Sequence, residues 1–153
     1  MPARTSAGLV LYRRGSALEV LLGHMGGPYF ARKDDGAWSI PKGEYDETEP
    51  AFDAARREFA EEIGVSAPEG DYLDLGSVTQ RNGKVVTAWA VEGDFDPELL
   101  VCNTFDLEWP PRSGRMQSFP EIDRVAWFDV PTAQTKALAS QGELFDRLVA
   151  ALS

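Results

Sequence analysis

Three glutamates, Glu58, Glu61 and Glu62, stand at spacings of three and four residues in a segment with helical periodicity. Such positions are neighbours on a helix, so the three carboxylates project from one patch of its surface. A trio of like charges is by itself typical of a solvated acidic face. These acids, however, fall in the C-terminal half of the segment, where the helix dipole disfavours negative charge. Divalent cations that prefer oxygen ligands would compensate them.

The residues before this helix provide a second part for such a site. Pro41-Lys42-Gly43 is a tight polar turn, in which glycine lets a backbone carbonyl and a lysine approach the same place. The run from Gly43 to Val65 resembles the Nudix box, written as Gly, five residues, Glu, seven residues, then Arg-Glu-apolar-any-Glu-Glu-any-Gly-apolar. Every fixed position is filled at the right spacing, by Gly43, Glu49, Arg57, Glu58, Phe59, Glu61, Glu62, Gly64 and Val65. So many fixed types make the pattern specific.

The resemblance implies a hydrolase that cleaves a nucleoside diphosphate linked to another moiety. Carried over residue by residue, Glu58, Glu61 and Glu62 would bind Mg²⁺ or Mn²⁺, with the carbonyl of Gly43 as a further ligand. Arg57 and Glu49 are similar to the family's buried ion pair, whose role would be to lock the loop onto the helix. The resemblance thus assigns a metal site and a structural clamp.

Hydrolysis also needs a carboxylate that takes a proton from the attacking water. Members of the family differ in whether this base lies in the box or on a later loop. Glu58 and Glu61 are the catalytic candidates in the box, and Glu121, six residues before Trp127, is the later one. An ordinary loop acid is an equal interpretation of Glu121, and the alternatives to it are Asp106, Glu108 and Asp123.

Substrate contacts are expected in the flanking loops. Lys42 resembles the lysine in the Pro-Lys-Gly lead-in of relatives that act on dinucleoside polyphosphates or inositol pyrophosphates, and it is predicted to contact phosphate. Arg112 and Arg115 share a loop with Trp109 and are predicted to add positive charge, with solvated surface cations as the alternative. Trp38 is the predicted aromatic wall for a nucleobase, with Tyr29, Phe30 and Trp109 as further aromatics beside the motif, although residues of this type are more often part of a core.

Downstream markers of the family's subclasses leave the substrate open. Gln80 stands where relatives that hydrolyse ADP-ribose have proline, and Asn82 stands where diadenosine polyphosphate hydrolases have tyrosine. We expect a pyrophosphohydrolase of nucleoside triphosphates or dinucleoside polyphosphates. The alternatives are a nucleotide-sugar or ADP-ribose hydrolase and a catalytically silent nucleotide-binding sensor or interaction module, although silent relatives usually lack box carboxylates and this chain keeps them.

The elements that must position these residues follow from periodicity and turn signals. Strands are predicted at 7–12, 18–22, 38–40, 72–78, 84–91 and 125–128. A helix is predicted from Pro50 to Gly64 with an apolar stripe of Phe52, Ala55, Phe59 and Ile63. One helix, interrupted at Gly142, is predicted over 132–152, and an irregular loop over 103–121. The expected fold class is α/β (α+β), a Nudix-like α/β/α sandwich around a central mixed sheet.

Composition sets the remaining expectations. A chain of 153 residues, 43% of them hydrophobic, predicts a single domain over 1–153. The net charge of −10 argues against binding to a nucleic acid polymer or an anionic membrane, so the expected partner is a small nucleotide or polyphosphate. Cys102 has no second cysteine to pair with, which favours a cytoplasmic location. Homodimers are common among relatives, and the sequence leaves the oligomeric state open.

Overall fold

The computed structural model describes residues 5–153. The predicted domain also includes residues 1–4, which lie outside the described residues, and its extent stays a prediction. Nine strands are formed within 5–153: β1 (Thr5–Arg14), β2 (Leu18–Met25), β3 (Trp38–Ser39), β4 (Lys42–Glu44), β5 (Leu73–Thr79), β6 (Val85–Glu92), β7 (Thr104–Glu108), β8 (Met116–Pro120) and β9 (Ile122–Asp129). The helices are α1 (Ala51–Ile63), α2 (Val130–Lys136) and α3 (Gly142–Leu152).

Seven strands form one mixed sheet in the order β3-β2-β1-β6-β5, with β4 paired to β1 and β9 paired to β2. β1 runs parallel to β6, and the other pairings are antiparallel. β1 is buried on both faces, which explains its nearly continuous apolar run. Leu9 and Leu11 pack with α1, whereas Val10 packs with residues of α2 and α3. This α/β/α arrangement confirms the predicted fold class.

α1 has the predicted bounds and the predicted buried face. Its N-cap is Pro50, and it ends at Gly64, which has a left-handed φ of 95° and donates its N–H to the carbonyl of Ala60. A side chain at position 64 would be strained there, so glycine is the suitable terminator. Ala55, Phe59 and Ile63 of the predicted stripe are buried in the core. Helix α1 is therefore fixed against the sheet by its apolar face, and Glu62 is buried as well.

The predicted irregular loop over 103–121 is wrong. Residues Thr104–Glu108 and Met116–Pro120 form an antiparallel hairpin, a second sheet of two strands. Pro110, Pro111 and Gly114, which are typical of loops, led to the wrong prediction, because they form only the turn between the two strands. The strand signal was present, since Phe105 and Leu107 alternate with polar residues at the period of a strand.

The prediction of one C-terminal helix interrupted at Gly142 is also wrong in detail. The helical path is broken before that residue, at Ala137 and Leu138, and Gly142 is the first residue of α3. Ala137 forms a bridge with Trp38, and the Leu138 N–H donates to the carbonyl of Trp38 at 2.9 Å. Pairing with β3 therefore pulls this backbone out of the helix. No helix within residues 5–153 is long and apolar enough to span a bilayer.

Candidate active site

The first contact of the site joins β4 to α1. A Cβ atom placed on Gly43 would lie 2.0 Å from Cδ of Glu58, so the Glu58 carboxylate rests directly against the β4 backbone. This approach, rather than an unusual φ, is what requires glycine at position 43. The glycine that opens the sequence motif thus admits a carboxylate from the helix that follows.

Arg57 holds the loop before α1 to the helix. Its Nε and Nη2 donate to the two carboxylate oxygens of Glu49, each at 2.9 Å. Its Nη1 donates to Oε1 of Glu58 at 2.8 Å and to Oε2 of Glu61 at 3.2 Å. The guanidinium lowers the pKa of Glu49 and is itself kept protonated by these carboxylates. The structure therefore contains the ion pair predicted between Glu49 and Arg57, and it extends that pair to two acids of the motif.

Glu62 is the buried carboxylate of the site. It is 8% exposed, and its Oε2 accepts the backbone N–H of Lys42 at 3.1 Å. Loss of solvent raises the pKa of Glu62 to about 8, and the nearby charges of Glu121 and Glu58 add to the effect, against the opposing hydrogen bond from Lys42. At neutral pH this carboxylate carries a proton unless a cation is beside it.

Glu121, between β8 and β9, is brought to the end of α1 by the backbone. The Asn103 N–H donates to the carbonyl of Glu61 at 3.2 Å, and the Glu121 N–H donates to the carbonyl of Asn103 at 2.9 Å. The Glu121 carbonyl in turn accepts the N–H of Gly26 at 2.9 Å. Burial, followed by the charge of Glu61, raises the pKa of Glu121. A residue far from the motif in sequence thus shares its electrostatic environment.

Burial also raises the pKa of Glu58. The charges of Glu61 and Glu121 act in the same direction, while the Arg57 hydrogen bond opposes them. Glu58, Glu62 and Glu121 are consequently three acids whose negative charge is poorly accommodated by the protein alone. Such a set of groups is a candidate functional site with a physical rationale.

A cleft of about 280 Å³ opens beside these acids. We call its charged lining residues, Lys42, Glu62 and Glu121, the polar end, and its apolar lining residues, Phe30, Phe105, Met25 and Ile122, the apolar end; Ser39 and Gly26 also line the cleft. Burial, followed by repulsion from Lys84, lowers the pKa of Lys42, while Glu62 and Glu44 oppose that shift. Phe105 is the residue that the hairpin contributes to the cleft, and its ring also packs against Gly27, where an added Cβ would lie 2.9 Å from Cζ.

The structure does not bring all the predicted substrate residues to this cleft. Trp38 is 4% exposed, and its ring packs edge-on against His24 at 5.2 Å and Phe128 at 4.9 Å between centroids. The prediction that it forms a wall for a nucleobase is therefore corrected, since the ring belongs to the core. Arg112 and Arg115 lie exposed at the turn of the hairpin and do not line the cleft.

The alternatives to Glu121 are engaged elsewhere or lie outside the cleft. Asp123 contacts Nδ1 of His24 at 2.9 Å, and Oε1 of Glu108 accepts the N–H of Arg112 at 3.0 Å. Asp106 is exposed on the hairpin. Sequence reasoning overlooked Phe105, although the alternation from Thr104 to Glu108 marks it as the inward residue of a strand.

The donor set fits a hard divalent cation in its chemistry, although its side chains are not yet gathered around one. Within residues 5–153 no three His, Cys, Asp or Glu side chains stand close enough together to hold a metal ion. Arg57 donates to both Glu58 and Glu61. Burial disfavours the ionised forms of Glu58 and Glu62 and raises their pKa values, and a cation beside them would favour ionisation; carboxylate oxygens suit Mg²⁺ or Mn²⁺.

Comparison with known proteins identifies the class. Residues 2–148 match the model of the NUDIX domain. The chain therefore belongs to the Nudix family, as the motif from Gly43 to Val65 predicted. A curated relative, the 8-oxo-(d)GTP phosphatase of Mycolicibacterium smegmatis, is 37% identical over 135 residues, an alignment that covers 78% of this chain and 39% of the relative. The chain thus spans about two fifths of the length of that protein.

Solved structures share the fold. The NUDIX domain of Shewanella oneidensis NrtR, determined with ADP ribose, has a TM-score of 0.65 at 18% identity and covers 100% of this chain and 90% of its own. The Ap4A hydrolase of C. elegans, in a binary complex, also has a TM-score of 0.65, at 23% identity, over 96% of this chain and 97% of its own. At these identities the likeness establishes the fold alone.

Proposed function

We propose that this chain hydrolyses a diphosphate linkage in a nucleoside diphosphate joined to another moiety, with nucleoside triphosphates and dinucleoside polyphosphates as the first substrate classes. The observation that carries the proposal is Glu62, a carboxylate of the motif that is 8% exposed, lines the cleft together with Glu121 and lies close enough to Glu58 for the two charges to interact. A stable fold gains nothing from three poorly compensated acids, so their arrangement is better explained by chemistry than by packing. A cytoplasmic location belongs to the same proposal.

The groups proposed to hold Mg²⁺ or Mn²⁺ are the carboxylates of Glu58, Glu61 and Glu62 and the carbonyl of Gly43. A divalent cation bound there would withdraw charge from phosphorus and lower the pKa of a bound water. Arg57 donates to Glu58 and Glu61 and so restrains both carboxylates on the helix surface. Gly43 leaves room for Glu58 against the backbone.

The remaining residues of the polar end bind phosphate and move a proton. Lys42 lines the cleft, and its ammonium group would bind a phosphate oxygen. The negative charge of the phosphate would offset the cost of burying the lysine charge. Glu121 lines the same cleft, and no hydrogen bond or ion pair engages its carboxylate among the described residues. It is therefore our preferred general base, with Glu58 and Glu61 as the alternatives within the motif.

The apolar end of the cleft supports a nucleobase as part of the substrate. Phe30 and Phe105 offer aromatic surface there. The relative from M. smegmatis is named for 8-oxo-(d)GTP, and the structural neighbour from C. elegans is named for Ap4A. Oxidised guanine nucleotides therefore belong in the first substrate panel together with dinucleoside polyphosphates.

A second candidate is a binding domain without turnover. The observations that favour it are the engagement of Glu58 and Glu61 by Arg57 and the lack, within residues 5–153, of three acidic side chains close enough together to hold a metal ion. The NUDIX domain of NrtR was determined with ADP ribose, so a domain of this fold binds such a ligand. In this candidate, Lys42 and the aromatic end of the cleft would bind the nucleotide, and a nucleotide-sugar or ADP-ribose hydrolase is the further alternative.

The test is a substrate screen with Mg²⁺ and Mn²⁺, scored by released phosphate and nucleoside monophosphate. The panel contains nucleoside triphosphates with 8-oxo forms, dinucleoside polyphosphates, nucleotide sugars and ADP-ribose. Glu62→Gln should lower kcat by about a thousandfold or more on the best substrate while the protein stays folded. Glu69→Gln, the same chemical change at an exposed position, is the matched control.

The outcomes separate the candidates. Full activity in Glu62→Gln would overturn the role assigned to the acids. Silence of the wild type across the panel, together with binding of a nucleotide, would favour the binding domain over the hydrolase.

A further inference from the structure

His24 is a fully buried polar residue close to the cleft, and no part of the proposed mechanism uses it. It is the next-to-last residue of β2 and has an exposure of 0%. Its Nδ1 lies 2.9 and 3.1 Å from the two carboxylate oxygens of Asp123, and its Nε2 lies 2.7 Å from the carbonyl oxygen of Lys33. A carbonyl oxygen only accepts hydrogen bonds, so Nε2 is the donor of that contact.

Asp123 is the extra residue of a β-bulge. In the pairing of β2 with β9, His24 lies opposite Arg124 and Met25 lies opposite Ile122, which leaves Asp123 without a partner in the register. A bulge bends its strand and changes the direction of neighbouring side chains. Here the unpaired residue turns its carboxylate to His24, and Glu121 stands two positions before it. The contact with His24 therefore restrains the bulge two positions after Glu121, a residue that lines the cleft.

The other side of the His24 ring holds the loop that carries Phe30. The Lys33 N–H donates to the carbonyl of Phe30 at 3.0 Å, and the Phe30 N–H donates to the carbonyl of Gly27 at 3.3 Å. The carbonyl of Lys33, at the end of this pair of turns, is the one that His24 binds. Anchoring Lys33 consequently anchors Phe30, which lines the apolar end of the cleft.

We propose that His24 is a positioning residue that sets the two walls of the cleft relative to each other, the Phe30 wall through Lys33 and the Glu121 wall through Asp123. The inference rests on the proposed function. Beyond that function, the inference assigns substrate affinity to the Nε2 edge of the imidazole, through Lys33, and the rate of the chemical step to the Nδ1 edge, through Asp123. A displacement of about 1 Å at a reacting group is enough to cost up to a hundredfold in rate.

Two amide substitutions separate the edges. In His24→Asn, the side-chain nitrogen occupies the place of Nδ1, which keeps the contact to Asp123 and removes the one to Lys33. We expect KM to rise about tenfold, with kcat within about twofold of the wild type. In His24→Gln the nitrogen occupies the place of Nε2, which keeps the contact to Lys33. We expect kcat to fall about tenfold with KM within about twofold, and Asp123→Asn should show the same pattern.

Hydrogen exchange supplies a readout that does not depend on turnover. His24→Asn should speed the exchange of the Phe30 and Lys33 amides, and His24→Gln should speed that of Gly26, which donates to the carbonyl of Glu121. Trp127→Phe is the control. Trp127 lies on β9, as Asp123 does, and the substitution removes the hydrogen bond from its indole to the carbonyl of Phe95, away from the cleft. It should lower Tm and leave kcat, KM and both sets of amides unchanged.

Three results would overturn the inference. One is wild-type kcat, KM and exchange in all three variants. Another is a loss of both kcat and substrate affinity in His24→Asn and in His24→Gln that follows the decrease in Tm. A residue with a merely structural role would give this pattern. The third result applies if the His24 variants do not fold. In that case a wild-type kcat in Asp123→Asn would overturn the inference. If the wild type turns over nothing, the proposed function fails, and the exchange rates alone decide whether His24 holds the two walls.

Discussion

Glu62 shows at the scale of one residue why we propose that the site binds a cation. Its carboxylate is removed from water, and the hydrogen bond that reaches it comes from the backbone N–H of Lys42. One such bond offsets only part of the cost of burying a charge. The pKa near 8 means that a proton balances this charge at neutral pH when no metal ion is bound. A divalent cation would displace that proton.

The pKa of Glu62 predicts how the stability of the metal-free protein depends on pH. The folded state holds the proton up to about pH 8, whereas the unfolded chain releases it near the ordinary value of 4.5. The folded state therefore binds more protons between these values, and the free energy of unfolding contributed by Glu62 falls as pH rises through this range. Urea unfolding in the presence of a chelator, at intervals from pH 5 to pH 9, measures the slope.

Glu62→Gln should flatten that slope, because glutamine does not titrate. Some decrease should remain, since the pKa values of Glu58 and Glu121 are also raised by burial. Glu69→Gln, at an exposed position, should keep the wild-type slope. An identical slope in Glu62→Gln and the wild type would mean that Glu62 is already ionised in the folded protein.

At the scale of elements, the site is the junction of β4 with α1. Gly43 admits Glu58 from the helix, and Arg57 ties Glu49 of the preceding loop to the same helix. The two elements therefore behave as one rigid part. Its rigidity comes from local contacts along a short stretch of chain, which is why the sequence motif describes it so completely.

Gly43→Ala should damage the site more than the fold. The new Cβ would lie 2.0 Å from Cδ of Glu58, so the carboxylate must move away from β4. We expect kcat to fall about a hundredfold, because the displaced group is one of the proposed ligands. Steady-state kinetics and a thermal melt measure the two effects.

The matched control is Gly15→Ala, since a Cβ at that position meets no atom within 4 Å. It should leave both kcat and Tm close to the wild-type values. If Gly43→Ala kept the wild-type kcat, the close approach of Glu58 to β4 would have no part in the reaction.

The elements also show which features can be predicted from a sequence. The start and end of α1 are set by Pro50 and Gly64, whose effects are local, and both were predicted correctly. Trp38 was assigned to a substrate wall although a core position had been weighed, and the helix break at Leu138 was placed at Gly142 instead. The Trp38 ring packs against His24 and Phe128, and the Leu138 N–H donates to the carbonyl of Trp38. Contacts between residues so far apart in the chain leave no local pattern in the sequence.

The residues of the cleft also divide into those that local sequence predicts and those that long-range contacts bring together. Glu58, Glu61 and Glu62 were found from spacing on one helix, because helical geometry alone brings them together. The proximity of Glu121 to them was proposed from family resemblance, and in the structure it depends on Asn103 bridging the end of α1. Phe105 was obscured by the prolines of its hairpin turn. Local signals therefore predict the acids, whereas the walls around them are products of the folded chain.

At the scale of the whole molecule, the charge has to be reconciled with an anionic substrate. The net charge of −10 creates a negative field that repels nucleotides at a distance. Among the residues that line the cleft, Lys42 provides the positive charge, while Glu62 and Glu121 add negative charge. Bound divalent cations would reverse the sign of the local field and allow a polyphosphate to approach. Binding of metal and binding of substrate are therefore expected to be coupled.

Metal binding should consequently stabilise the whole fold. A ligand that binds only the folded state adds about 2.7 kcal/mol at a concentration one hundred times its Kd, which corresponds to several degrees in Tm. We expect Mg²⁺ and Mn²⁺ to raise the Tm of the wild type, with a larger rise at pH 8 than at pH 6, because Glu62 must lose its proton to act as a ligand.

KCl at matched ionic strength separates this effect from general screening of the acidic surface, which also stabilises a protein of high net charge. The rise in Tm with KCl should be smaller and should be the same in the wild type and in Glu62→Gln. The additional rise with Mg²⁺ should be present in the wild type and in Glu69→Gln, and strongly reduced in Glu62→Gln. An equal response to Mg²⁺ in all three proteins would assign the stabilisation to screening, and the acids of α1 would then have no demonstrated affinity for a metal ion.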